Sequence, residues 1–102
     1  MRCLLALASL LHAGPAPVLA ALADVLAEED GAFERRGSGL ERRLPVPGVE
    51  RWRVLDDAEG TRVECEYLVS AWPLTGLRLR RRLREAPERF RAVVTAVAAA
   101  VE

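Results

Sequence analysis

Arginine is the most abundant chemical resource of this chain. Seven of its fifteen arginines fall between positions 78 and 91, and a guanidinium is a permanent charge whose planar fork matches phosphate and carboxylate oxygens. Arg78, Arg80, Arg82 and Arg84 alternate with Leu77, Leu79 and Leu83. On an extended strand those four arginines share a face and form a candidate anion-binding stripe, and the same spacing suits a solvated outer face that guards a sheet edge.

Other chemistry finds fewer parts. His12 is the only histidine, and no hydroxyl or thiol can be named as its partner for the nucleophile of a triad. Cys3 and Cys65 match no zinc or redox spacing. Cys65 lies in an alternating apolar series and reads as a small core residue, with a disulfide to Cys3 left open. Gly37-Ser38-Gly39 lacks the Lys-Ser/Thr pair and helix of a phosphate loop. Asp56-Asp57 and Glu28-Glu29-Asp30 read as solvated turn residues. No catalytic residue, metal ligand or cofactor is assigned, and the balance leans away from an enzyme.

The whole chain bounds these readings. A length of 102 residues suits a single domain with one modest core. With 51% hydrophobic and 29% charged residues it is expected to fold, and no multi-span membrane protein is expected. Fifteen acidic residues balance the fifteen basic ones, so the net field favours neither nucleic acid nor acidic membrane. All the basic residues are Arg, and Lys, Asn, Gln and Ile are absent, a composition like that of GC-rich bacterial genomes. A cytoplasmic location is expected. The alternative is secretion, with residues 1–20 as a leader ending in the small residues Ala16-Pro17-Val18-Leu19-Ala20.

The elements that must position these side chains follow from periodicity. Leu4, Leu5, Leu7, Leu10 and Leu11 fit helical spacing, with Gly14-Pro15 as the stop, which predicts a helix over 3–13. Val18, Leu19, Leu22, Val25 and Leu26 predict a second helix over 16–28. From Gly39 the period becomes two. Strands are predicted from Gly39 to Leu44, over 49–55, over 61–71 and, after a Pro73-Leu74-Thr75-Gly76 turn, over 77–84, with a helix competing for the last. Asp57-Ala58-Glu59-Gly60 predicts a type I hairpin turn with Gly60 left-handed, pairing Val54 with Val63 and Trp52 with Cys65 inside, and Arg53 with Glu64 and Arg51 with Glu66 outside. Pro87 suits the first turn of a helix, and Phe90, Val93, Val94, Val97 and Val101 form its stripe. The expected fold is α+β: residues 1–30 helical, a β-meander of three to four antiparallel strands over 39–84, and an amphipathic helix over 87–102 packed on the sheet.

The turn ending in Gly60-Thr61, the strand over 62–69, Pro73-Leu74-Thr75-Gly76-Leu77 and the Arg- and Leu-rich stretch before the final helix resemble the closing part of the START-like, helix-grip superfamily of polyketide cyclases and lipid-transfer domains. The resemblance covers about half the chain. Members open with a strand and fold a curved antiparallel sheet around a long C-terminal helix, so the resemblance implies a small apolar ligand held between sheet and helix, with lipid-transfer-like or cyclase-like function. Trp52, Cys65, Tyr67, Trp72, Phe90 and Val94 are the candidate ligand-binding residues. Two other classes compete. One is a winged-helix DNA-binding regulator with residues 49–69 as wing and a recognition helix drawn from 34–43, nucleic acid being the less favoured partner. The other is a dimerisation or protein-interaction domain, a homodimer built on the valine stripe of the last helix.

Overall fold

The computed structural model describes residues 2–29, 33–70 and 77–102. Its order is β1 (Arg2–Leu11), α1 (Pro15–Ala27), β2 (Glu34–Arg36), β3 (Gly39–Arg43), β4 (Gly48–Asp57), β5 (Gly60–Val69) and α2 (Leu77–Val101). The strands form one antiparallel sheet in the order β1-β5-β4-β3-β2. The α+β class and the antiparallel sheet expected from sequence are both present. Trp72 and the Pro73-Leu74-Thr75-Gly76 turn lie outside the described residues.

The first helix expected from sequence is a strand. Residues 2–11 pair with β5, Leu5 opposite Tyr67, Leu7 opposite Cys65 and Leu11 opposite Thr61. The apolar residues of this segment satisfy both a 3.6 and a 2 period, and its Leu-Ala composition favours helix. The free edge of β5 decides, because pairing there satisfies a row of buried backbone groups that a local helix would leave unpaired. Of the stretch that also fits a secretory leader, residues 2–11 form this strand and residues 15–20 open α1.

Gly14-Pro15 starts a helix instead of stopping one. Gly14 is the N-cap and Pro15 opens α1, where a missing N–H is harmless and the fixed φ suits the first turn. Val18, Leu22 and Leu26 of α1 are fully buried, as their spacing predicts.

The fourth strand predicted over 77–84 is also corrected. Those residues are the first two turns of α2, which runs through Pro87 and does not begin there. Leu79, Ala86, Phe90, Val93 and Val97 are buried along it, with Leu83 packed against the core, so one apolar stripe continues past the proline at helical spacing. Over eight residues of Leu and Arg the two periods are hard to separate. Only the register shared with Phe90 and Val97 selects helix.

The central hairpin matches its predicted register: Arg51 faces Glu66, Trp52 faces Cys65, Arg53 faces Glu64 and Val54 faces Val63. Outside, Arg51 pairs with Glu66 at 3.0 Å and Arg53 with Glu64 at 2.8 Å. Neither Ala58 nor Glu59 has a positive φ, which excludes the primed turns, and the Glu59 N–H donates to Asp57 Oδ1 at 3.0 Å. Gly60 has a positive φ of +150°, in the range that favours glycine, as the sequence leads one to expect at this turn. Both helices lie on one face of the sheet, where Trp52 of β4 stacks on Phe90 of α2 with centroids 5.5 Å apart. No helix among the described residues is long and apolar enough to cross a membrane.

A β-carbon at Gly60 would overlap the Leu11 carbonyl of β1, in a backbone conformation that side chains rarely adopt. Gly60→Ala is expected to lower stability by about 1–3 kcal/mol in urea unfolding, whereas Ala58→Gly at the exposed turn changes it by a few tenths.

Candidate functional site

The inner face of the sheet carries charge at one row. Glu50 faces Arg42 on β3 and Tyr67 on β5, one step from the row of Leu40, Trp52 and Cys65. Its alternation with Trp52 and Val54 turns the carboxylate inward, and no part of it reaches solvent. An unpaired carboxylate there would be prohibitive. Every lone-pair direction is instead engaged. The Trp52 indole donates to Oε2 at 2.7 Å, Arg89 Nη1 of α2 donates to the same oxygen at 2.8 Å, and Arg42 Nη2 donates to Oε1 at 3.1 Å.

A second carboxylate completes the group. Arg89 Nε lies 3.0 Å from both oxygens of Glu29, just beyond the end of α1, and its Nη2 also donates to Glu29. Arg42 Nη2 approaches Glu29 at 3.5 Å, and its guanidinium sits 4.7 Å over the Phe33 ring. Two guanidiniums and two carboxylates thus cancel within the cluster. Burial opposes the charge on Arg89, but its hydrogen bonds to Glu29 and the charge and hydrogen bond of Glu50 outweigh it and hold its pKa above the ordinary arginine value. The Tyr67 hydroxyl oxygen accepts from Arg89 Nη1 at 3.0 Å within the same cluster, and burial followed by the Glu50 charge pushes its pKa well up.

Beside this cluster lies an open cleft of about 310 Å³, lined by Arg42, Arg78, Arg81, Arg82, Glu85 and Arg89. On α2, positions 78, 81, 82, 85 and 89 follow helical spacing and share a face. Arg42 and Arg89 are engaged by Glu29 and Glu50. Arg78, Arg81 and Arg82 have no ion pair among the described residues. The four-arginine stripe predicted on a strand is thereby divided. Arg78 and Arg82 reach the cleft, joined by Arg81, while Arg80 and Arg84 are exposed and do not line it.

The apolar candidates come together in a different way. Trp52, Cys65, Tyr67 and Phe90 are buried and packed into the core beneath α2, and Val94 is partly buried against it. Cys3 and Cys65 are both free thiols. Cys3 faces Leu68 near one end of β1, while Cys65 sits mid-sheet opposite Leu7, so no disulfide joins them. Burial and then the Glu50 charge push the Cys65 pKa up. His12 is exposed, its ring nitrogen 3.3 Å from the Glu59 carbonyl. The segment 34–43, needed as recognition helix by the winged-helix alternative, is the β2–β3 hairpin, its turn opened by Gly37 at φ +58°.

Sequence reasoning missed Glu29, Arg42, Glu50 and Arg89. The signal for three of them was phase. Glu50 is in step with Trp52 and Val54, Arg42 with Leu40, and Arg89 with Ala86 and Val93. A charged residue in the phase of a buried face announces an internal partner.

Comparison of the chain with family models, with curated protein sequences and with solved structures gives no match.

Two outcomes test this arrangement. Glu50→Ala leaves the Arg42 and Arg89 guanidiniums with Glu29 as their one carboxylate among the described residues and is expected to cost about 3–5 kcal/mol in urea unfolding, more than Glu50→Gln, which keeps the acceptor for Trp52. At pH 8 the native protein is expected to take one iodoacetamide, on exposed Cys3, and a second on Cys65 only after denaturation, as read by peptide mass.

Proposed function

We propose that this chain is a binding domain for a small polyanion, a molecule carrying phosphate or carboxylate groups, held in the cleft between β3 and the first half of α2. One observation carries the proposal: Arg78, Arg81 and Arg82 converge on a cleft of about 310 Å³ without carboxylate partners. That volume is at the lower end of small-molecule sites. Five guanidiniums face one lone carboxylate there, and two of the five are already rigidly held by Glu29 and Glu50. Such prior fixing lowers the ordering cost of binding.

The apolar-ligand reading retains one specific support. The chain opens with a strand and closes with a 25-residue helix lying over an antiparallel sheet, the path that the helix-grip resemblance implies. Its lining residues are occupied with one another, so an apolar guest would have to displace the Trp52–Phe90 stack. Apolar mass that co-purifies with the protein in native mass spectrometry would favour that reading over the polyanion.

Calorimetric titration with inorganic pyrophosphate is the direct test. Saturable binding that weakens steeply with salt is expected, and each of Arg78→Ala and Arg82→Ala should weaken it by about tenfold or more. Arg80→Ala and Arg84→Ala, away from the cleft, should change it little. Equal losses from all four would reduce the effect to net charge and overturn the site.

A further inference from the structure

We propose that β1 is an interface between two copies of this chain, which pair their β1 strands antiparallel about a twofold axis and join their sheets edge to edge.

The two edges of the sheet are built differently. β2 is only three residues long, and all of them, Glu34, Arg35 and Arg36, are charged and exposed. A short charged edge resists pairing. β1 has ten residues, carries no charge after Arg2 and contains no proline. Its outer side presents a row of backbone donors and acceptors that no described strand covers. The register irregularity between Cys3 and Leu5 lies toward one end, and pairing is regular from Leu5 to Leu11. An antiparallel pair over those seven residues provides about seven hydrogen bonds along roughly 24 Å, within the range of direct hydrogen bonds of a standard interface.

Symmetry restricts the register. In a continuous sheet, residues directly opposite each other must point to the same face, so inner-face residues of one copy meet inner-face residues of the other. Leu5, Leu7, Ser9 and Leu11 form one set and Ala6, Ala8 and Leu10 the other. With Ala8 on the axis, Leu5 of one copy faces the already buried Leu11 of the other and Leu7 faces Ser9, covering Leu5 and Leu7, which are partly exposed in the single chain. Both helical layers then lie on the same side of the joined sheet.

Charge favours the antiparallel sense and a second copy as occupant. Arg2 stands at one end of β1. At the other end Asp57 and Glu59 line a surface depression with Ala8, Ser9, Leu10 and Arg62, and Arg62 is already paired with Glu64 at 2.9 Å. Glu102 is there too, accepting from the His12 N–H at 3.0 Å. Antiparallel self-pairing sets each basic end against the other copy's acidic end, twice over, whereas parallel pairing would set like against like.

Sedimentation velocity of the full chain tests the proposal. Wild-type protein is expected at twice the chain mass. Ala8→Lys, an exposed position on the helix-free face, is expected to give the monomer with an unchanged circular dichroism spectrum, because it places two ammonium groups together at the axis. In a Cys3→Ser background, Ala8→Cys should form a disulfide-linked dimer on mild oxidation, a readout independent of the lysine variant. A monomeric wild-type protein overturns the proposal. So does a dimer that Ala8→Lys leaves intact and Ala8→Cys does not cross-link.

Discussion

The carboxylate of Glu50 is the constraint around which the helical face of this sheet is arranged. A charge with no access to water must be neutralised by charges brought to it, with its remaining lone pairs hydrogen-bonded. Trp52 supplies an indole N–H from the same strand, Arg42 a guanidinium from β3, and Arg89 a second one from the middle of α2. Arg89 in turn holds Glu29 beyond the end of α1. Both helices and the central strands therefore meet at one neutral cluster, which fixes the rotation of α2 about its axis as apolar packing alone would not.

That rotation has consequences for the rest of the helix. Once Arg89 points inward, Glu85, Arg82, Arg81 and Arg78 follow along the same face toward the N-terminal end of α2, and Arg80 and Arg84 are carried away from it. Two groups of arginines then stand apart. Arg42, Arg51, Arg53, Arg62 and Arg89 are paired with carboxylates within the fold, while Arg78, Arg81 and Arg82 leave their charge in the cleft. Stability and recognition thus use the same residue type, separated by whether a carboxylate lies opposite.

The faces and edges of the sheet are similarly unequal. The helix-free face is covered by a ladder of Arg–Glu pairs across β4 and β5, partly exposed and worth little individually, which keeps a broad sheet surface wet. β2 ends the sheet with charge. β1 ends it with leucine and alanine, and this asymmetry is visible only when strand order is known.

The sequence by itself determined the α+β class, the helix of Val18, Leu22 and Leu26, and the β4–β5 hairpin down to its register, because each is specified by residues close together in the chain. A one-residue slip would have placed Trp52 opposite a glutamate, so local pattern was sufficient there. What tertiary structure decided were segments whose local signals were double. Residues 2–11 read as helix until β5 offered an edge, and residues 77–84 read as strand until their leucines were aligned with Phe90 on one helical stripe. The Glu29, Arg42, Glu50 and Arg89 cluster joins four elements distant in sequence, and no spacing rule connects them. Only folding brings those charges together, because each is tolerated inside solely by the presence of the others.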